Sequence, residues 1–355
     1  GDLSAAIGSF KQATKANPDY AEAFYNMGIA FDGKGDREAA IESYKMALRI
    51  KPDFAEAYTN MGAALYHLGS MEAAKDSYKK ALSLNPSSVD AISNLAHLFK
   101  ANCQYKEAKD CFDKLTGRDA VAKALECTYY LKNYTEFNEQ IGAIAIKNPA
   151  NIQVASLSAF AAYQTKQKDS YPFCKNPIEL IKFSHIKHHI PDVDKFINTI
   201  LNEMNGKKAS WEPSDKTTKS GYQTSGNLFE VPSVNMKILE SIIQKELNFY
   251  YSKFKFHNNT LIQSWPRKYN LKGWYVRMLK NGHQGSHIHP AGWVSGVLYL
   301  KTVETPVQNE GAIEFSIHGG DYPATNENVP RQVYQPYNGD LILFPSSLFH
   351  KTIPV

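Results

Sequence analysis

The chain has 355 residues, 43% of them hydrophobic and 21% charged, and a formal net charge of +5. That is enough chain for two domains with a core each, and the mild charge, with no basic block, excludes a nucleic-acid stripe and favours at most an acidic substrate. No apolar run reaches the roughly 18 residues of a membrane-spanning helix, and no signal peptide is visible. Gly1 falls inside a helical pattern, so the natural start is expected upstream of it. The four cysteines, Cys103, Cys111, Cys127 and Cys174, lack close metal-ligand spacing. Three fall in expected helices, and buried free thiols in a reducing compartment, the cytoplasm, are the expectation.

Asn17-Pro18, Lys51-Pro52 and Asn85-Pro86 recur every 34 residues. Within that period Ala23-Phe24-Tyr25-Asn26-Met27-Gly28 matches Ala57-Tyr58-Thr59-Asn60-Met61-Gly62 and Ala91-Ile92-Ser93-Asn94-Leu95-Ala96. Apolar spacings of three and four make each unit a pair of helices. Gly28, Gly62 and Ala96 are small enough to let the pair approach, and the prolines separate one helix from the next. These units resemble the tetratricopeptide repeat family, and residues 1–16 read as the second helix of a preceding unit. The resemblance implies an all-α superhelix with a concave groove for a protein or peptide, presenting Asn26, Asn60, Asn94 and Lys100. A rigid spacer or dimerisation element is the other reading.

Residues 119–170 stay helical but drift from the pattern. Tyr129-Tyr130-Leu131 through Ile144 form a worn repeat and 150–165 a capping helix, so the first domain is placed at 1–170 and the second at 171–355. Tyr171-Pro172 and Asn176-Pro177 break helices. One helix is expected within Ile186–Met204, with Pro191 near its start. Residues 205–227, rich in Lys, Ser, Thr and Gly, read as loop, and Met236–Tyr251 as an amphipathic helix. From Lys272 the period is two: Gly273–Met278, Val294–Leu300, Gly311–Ile317, Arg331–Tyr334 and Asp340–Phe344 read as strands. Helices on an antiparallel sandwich make the second domain α+β.

The chemistry is expected in the last quarter. In extended chain the side chains of His287 and His289 face one way, and His350 follows a second apolar strand after Pro345-Ser346-Ser347. In a jelly roll the two strand ends meet. Three imidazoles would then hold one borderline cation, Fe(II) or Zn(II), with coordination positions left open. Asp340 and Glu314 are carboxylates that could enter in place of His289, and Glu314 is the better placed. His283 and His318 read as surface residues.

The phrase Gly339-Asp340-Leu341-Ile342-Leu343-Phe344-Pro345-Ser346-Ser347-Leu348-Phe349-His350 resembles the distal-histidine region of Fe(II)/2-oxoglutarate-dependent oxygenases. Ser286-His287-Ile288-His289-Pro290 with Ser295-Gly296-Val297-Leu298-Tyr299 resembles the subfamily often found fused to tetratricopeptide repeats. Gly221-Tyr222-Gln223-Thr224-Ser225 is similar to a segment of that subfamily's N-terminal portion. The resemblance spans residues 177–355. It implies a double-stranded β-helix (jelly-roll) core, Fe(II) on His287, His289 and His350 as the catalytic centre, and 2-oxoglutarate as small-molecule cosubstrate. The implied activity is a dioxygenase that hydroxylates a substrate, with the repeats suggesting a protein or peptide.

One position departs from that family: where His-x-Asp/Glu…His is usual, this chain has His289, which leaves the ion one unit more positive. The family anchors the far carboxylate of 2-oxoglutarate on a strand after the distal histidine, and five residues follow His350. Arg277, sharing a strand face with Tyr275 and Leu279, is therefore the candidate anchor, since a planar guanidinium matches a carboxylate; a structural ion pair is the equal alternative. Tyr275 joins it as a cofactor-binding candidate, and Tyr299 either donates its hydroxyl to the cosubstrate or fills core. Trp274 and Trp293 are candidate pocket walls. Two other classes stay open: a cupin-like three-histidine metalloenzyme without 2-oxoglutarate, against which the glycine and glutamate spacing around 282–296 counts, and a non-catalytic repeat scaffold with a degenerate oxygenase domain.

Overall fold

The repeating glycines have their reason in the tyrosines that follow them. The computed structural model describes residues 2–214, 216–304, 307–320 and 322–355. Its first helices are α1 (Leu3–Ala16), α2 (Ala21–Gly33), α3 (Arg37–Ile50), α4 (Ala55–His67), α5 (Met71–Leu84), α6 (Val89–Ala101) and α7 (Tyr105–Phe112). The three prolines of the repeat all fall in the turns between helices, where a missing N–H costs nothing. Asp36 and Ser88 cap α3 and α6 by accepting the backbone N–H of Ala39 and Ala91. A Cβ on Gly28 would stand 2.5 Å from the Tyr44 ring, and one on Gly62 would stand 2.6 Å from the Tyr78 ring. Both tyrosines are essentially inaccessible, so each ring fills the space that glycine leaves. In the third unit Ala96 takes the glycine's place and Phe112 the tyrosine's, both within one buried cluster.

Alanine is the better helix former by about 1 kcal/mol, yet Gly62→Ala is expected to destabilise the protein by about 1–3 kcal/mol, the usual cost of overpacking a filled core. Urea denaturation checks the sign, and Gly62→Ala with Tyr78→Leu should recover most of the loss.

The region expected to hold a worn repeat and a cap forms α8 (Arg118–Tyr130), α9 (Tyr134–Lys147) and α10 (Ile152–Thr165). The chain divides into two compact units, Gly1–Phe137 and Asn138–Val355, with α9 crossing the division. Cys111, Cys127 and Cys174 are buried free thiols, but Cys103 is exposed in the turn after α6, at φ 57°. No helix among the described residues is long and apolar enough to cross a membrane.

The second unit continues with β1 (Lys182–His185), α11 (Val193–Asn205), β2 (Ala209–Trp211), β3 (Thr218–Thr224), α12 (Val234–Phe254) and α13 (Thr260–Gln263). It ends with β4 (Val276–Gln284), β5 (Val294–Leu298), β6 (Ile313–Ser316), β7 (Arg331–Tyr334), β8 (Asp340–Pro345) and β9 (Phe349–Thr352). Pro191 stands just before the Asp192 cap of α11. The stretch 205–227, expected to be loop, holds β2 and β3. β2 is exposed along its length, and the buried side chains of β3 are polar, Thr218, Gln223 and Thr224, satisfied by hydrogen bonds rather than an apolar stripe, so no hydrophobic alternation betrays the strands.

The second unit has the expected α+β character, with small antiparallel sheets. The strands form three antiparallel three-stranded sheets, in the orders β1-β8-β5, β2-β3-β4 and β7-β6-β9, and no closed barrel is seen among the described residues. Strand β8 is buried along its whole length, as a central strand covered on both faces should be. Phe344 from β8 and Phe315 from β6 meet edge to face with ring centroids 4.9 Å apart, which joins two of the sheets. After β8 the chain turns at Pro345, where the Leu348 N–H donates to the Pro345 carbonyl, and it enters the other sheet as β9. That corner delivers His350.

Candidate metal centre

Backbone pairing brings the three histidines together. His287 and His350 form an antiparallel bridge in which each N–H donates to the other's carbonyl at 3.1 Å. Directly opposed residues of such a pair project their side chains to the same face. The His289 N–H donates to the Ser346 carbonyl at 3.1 Å, which holds the second imidazole on that face. Gly292 closes a turn by donating its N–H to the His289 carbonyl at 2.9 Å. A Cβ at Gly292 would stand 2.5 Å from Ser346 Oγ, so this close approach requires glycine.

The ring centroids lie 4.2 Å apart for His287 and His350, 4.9 Å for His287 and His289, and 5.0 Å for His289 and His350. One ring nitrogen from each lies within 4.8 Å of the others. His287 Nδ1 is 2.8 Å from the Gly285 carbonyl and His350 Nδ1 is 3.3 Å from the Leu348 carbonyl. A carbonyl can only accept, so both rings carry the proton on Nδ1 and keep Nε2 for a ligand. Trp274 packs against His289 at 5.4 Å and Phe344 against His350 at 4.7 Å.

Burial drives all three rings toward the neutral form. It lowers the pKa of His287, and burial together with the neighbouring His287 pushes that of His289 down to about 4. Burial, then the His287 and His289 charges, place His350 well below its ordinary value. Neutral imidazoles are what a cation needs as ligands. The same shifts set a pH dependence for the metal-free protein. Unfolded histidines take up protons near 6.5, so below that pH the unfolded state binds more protons than the folded one. Stability is therefore fully present above pH 6.5 and falls as the pH drops toward 4. Urea midpoints across that range should show the decline, and His289→Gln should make it shallower.

No carboxylate joins the cluster among the described residues. Glu314 pairs with Lys351 at 3.1 Å. Asp340 accepts from the Tyr334 hydroxyl and the Tyr337 N–H, both at 2.8 Å. This donor set corrects the expectation of an Fe(II)/2-oxoglutarate dioxygenase. Three imidazoles match a cupin-like three-histidine site better than the two-histidine, one-carboxylate triad, and with that the pairing of Fe(II) with 2-oxoglutarate falls.

Arg277 is exposed and lies over the Tyr222 ring at 4.9 Å. Tyr275 is half-buried, and burial raises its pKa against the opposing charge of Arg277. Tyr299 pairs with Asp340 through the backbone, roughly 15 Å along β8 from Pro345. Burial, then Asp340 and Tyr334, hold its hydroxyl well above the ordinary value, which is the core role. Of the two candidate walls, Trp274 reaches the histidines, while Trp293 donates to the Leu261 carbonyl and packs on Phe173. His318 stacks on Phe160 at 4.7 Å, so it packs rather than standing free at the surface. Sequence reasoning missed Thr217, whose hydroxyl lies 3.4 Å from His287 Nδ1, and it had no signal for the Gly285 and Leu348 carbonyls.

Comparison with known proteins bears on both parts. The family described as "Putative 2OG-Fe(II) oxygenase" matches residues 272–355. A TPR repeat family matches 1–35 and 33–69, and a tetratricopeptide repeat family matches 55–88. No curated protein matches the chain. Among solved structures, MamA is 24% identical with a TM-score of 0.35, covering 39% of this chain and 89% of its own. YrrB, a TPR protein with an unusual peptide-binding site, is 19% identical with a TM-score of 0.40, covering 45% and 85%. MamA 41-end from Desulfovibrio magneticus RS-1 is 17% identical with a TM-score of 0.37, covering 41% and 84%. The oxygenase likeness is one of sequence, and likeness does not carry a donor set across. The chain is thus a tetratricopeptide repeat array fused to a C-terminal domain that resembles the 2OG-Fe(II) oxygenase family but carries a three-histidine cluster.

Proposed function

We propose that the C-terminal domain is a cupin-like three-histidine metalloenzyme that works without 2-oxoglutarate, on a substrate that meets the ion directly. The convergence of His287, His289 and His350 with no carboxylate among them carries this reading. A divalent ion held there supplies Lewis acidity at positions the three imidazoles leave open. The protein's own part is orientation and exclusion of water. The Gly285 and Leu348 carbonyls fix two ring tautomers, Phe344 shields His350, and Trp274 covers the His289 side. The sheets meeting at Phe315 and Phe344 are, in this reading, the two halves of a jelly roll. The repeat array, with its family match, supplies a groove for a protein or peptide partner.

The test is metal content and cosubstrate response together. Protein stripped with chelator and reloaded is expected to retain one divalent ion per chain, and 2-oxoglutarate should neither change the spectrum of the Fe(II)-loaded protein nor be converted to succinate. Failure to retain any of Fe(II), Zn(II), Co(II) or Ni(II), or succinate release coupled to 2-oxoglutarate, would overturn the reading.

A further inference from the structure

Helix α12 carries apolar residues on two faces, and the fold uses one of them. Leu239, Ile242, Leu247, Tyr250 and Phe254 are buried on the inner side. On the outer side, positions 234, 238, 241, 245, 249 and 252 recur at the three- and four-residue steps of one helical stripe. Residue 256 continues the stripe in the closing turn, and all seven are exposed. Val234, Ile238, Phe249 and Phe256 make the stripe apolar, with Phe249 55% and Phe256 88% exposed. Single apolar side chains at a surface need no explanation, but a row of them along one helix marks an interaction site.

The charge beside that row is one-sided. From residue 245 to 272 the chain carries Lys245, Lys253, Lys255, Arg267, Lys268 and Lys272, all exposed, and a single acid, Glu246. Glu246 is buried on the inner face and already paired with Lys182 and His189. None of the six cations pairs with a carboxylate among the described residues. Lys255 stands to one side of the stripe, with its ammonium 4.9 Å from the Phe256 ring centroid, and Lys253 stands to the other. At the Val234 end Glu203 accepts from Ser233 and Asn235, so the cationic end is the C-terminal one, where the two phenylalanines are. Beside His257, Glu179 shares a small cleft with Lys175, and their charges offset each other.

Spacing and composition select the occupant. A coiled-coil seam alternates steps of three and four, whereas two steps of four meet at Lys245; a partner helix would bury that ammonium in the seam. A nucleic acid takes cations along its phosphates and gains nothing from Val234 and Ile238. A flat anionic bilayer suits both sets of residues. Rings enter the headgroup boundary, lysine stems lie along the surface, and the ammonium groups meet anionic headgroups. We propose that the outer face of α12, from Lys245 to Phe256, seats the protein on an anionic phospholipid bilayer through Phe249, Phe256, Lys245, Lys253 and Lys255. Such contact with one leaflet needs no spanning helix, and it does not depend on the three-histidine reading.

The experiment sediments the full chain with vesicles of phosphatidylcholine alone and of phosphatidylcholine mixed with phosphatidylserine. Binding is expected to the mixed vesicles, about tenfold or more weaker to the neutral ones, and to fade as salt is raised. Lys253→Gln with Lys255→Gln should weaken it more than about tenfold, and Phe249→Ser with Phe256→Ser by about tenfold. All four residues are exposed, so circular dichroism should be unchanged, and either pair reads the surface if the other does not fold. Lys79→Gln with Lys80→Gln, an exposed pair on α5, controls for net charge and should change binding little. The proposal is overturned if the mixed vesicles are not bound, if neutral vesicles bind equally, if either folded α12 pair binds as the parent does, or if the α5 pair loses as much as the α12 lysines. Retention of a single-stranded oligonucleotide in place of vesicles, lost in the same variants, would overturn it in favour of nucleic acid.

Discussion

His350→Ala is expected to lower affinity for a divalent ion by about a hundredfold or more. Loss of a partner that merely orients a ligand already costs about 10–100-fold, and this substitution removes a ligand itself. His350 is the least accessible of the three histidines, at 5% exposure, and its ring sits within 4.2 Å of His287 and 5.0 Å of His289. The vacated space is walled by Phe344, which offers no replacement donor. Competition between the protein and a fluorescent zinc chelator measures the change. His283→Ala is the control, since the His283 ring meets the Asn281 carbonyl at 3.3 Å and is not part of the three-histidine cluster, so affinity should be unaltered. Equal affinity in His350→Ala and the parent would show that the imidazoles do not act as one site.

The second large effect lies away from the histidines. Glu246 on α12 is 3% exposed and pairs with Lys182 on β1 and with His189 Nε2 at 2.6 Å. Burial would raise its pKa, but hydrogen bonds from His189, Lys182 and Ser184 and the charge of Lys182 outweigh that and hold it below the usual carboxylate value. Glu246→Ala is expected to cost about 3–5 kcal/mol, because it strands a buried ammonium. Replacing both partners, Glu246→Leu with Lys182→Met, should recover most of the loss, since desolvation of the pair offsets much of its attraction. Denaturant midpoints of the three variants decide this. A double variant as unstable as the single one would mean that packing, not charge, sets the cost. The depressed pKa also gives a sign with pH: the contribution of Glu246 is present above the unfolded carboxylate value, and it is lost as pH falls through the lower folded one.

How much was legible depended on which interaction carried the information. The repeat was plain because each unit packs mostly on its neighbours, so the period and the Gly28–Tyr44 and Gly62–Tyr78 pairs are written at constant spacing. Strands β5, β7 and β8 were legible from apolar runs and turn residues. Strands β2 and β3 were not, because β2 is exposed along its length and the buried side chains of β3 are polar, held across the sheet by Gln284 and Tyr275. Of the site, the three histidines stood out by their spacing and flanking strands. Arg277 and Tyr299 were chosen by strand face, which does not say what a side chain meets: Arg277 lies over the Tyr222 ring, and Tyr299 has the buried surroundings of its core reading.

Local order alone decided the helix pairs, their caps and the presence of an HxH pair followed by a distant histidine, since all of these rest on interactions a few residues apart or on a fixed repeat. Tertiary structure decided the rest. It set the bridge that lays His287 against His350, and sent Glu314 to Lys351 and Asp340 to Tyr334, so that no carboxylate among the described residues reaches the cluster. Those outcomes depend on which strands become neighbours, and strand pairing across 60 or more residues of chain is fixed by the packing of whole sheets, which no local pattern encodes.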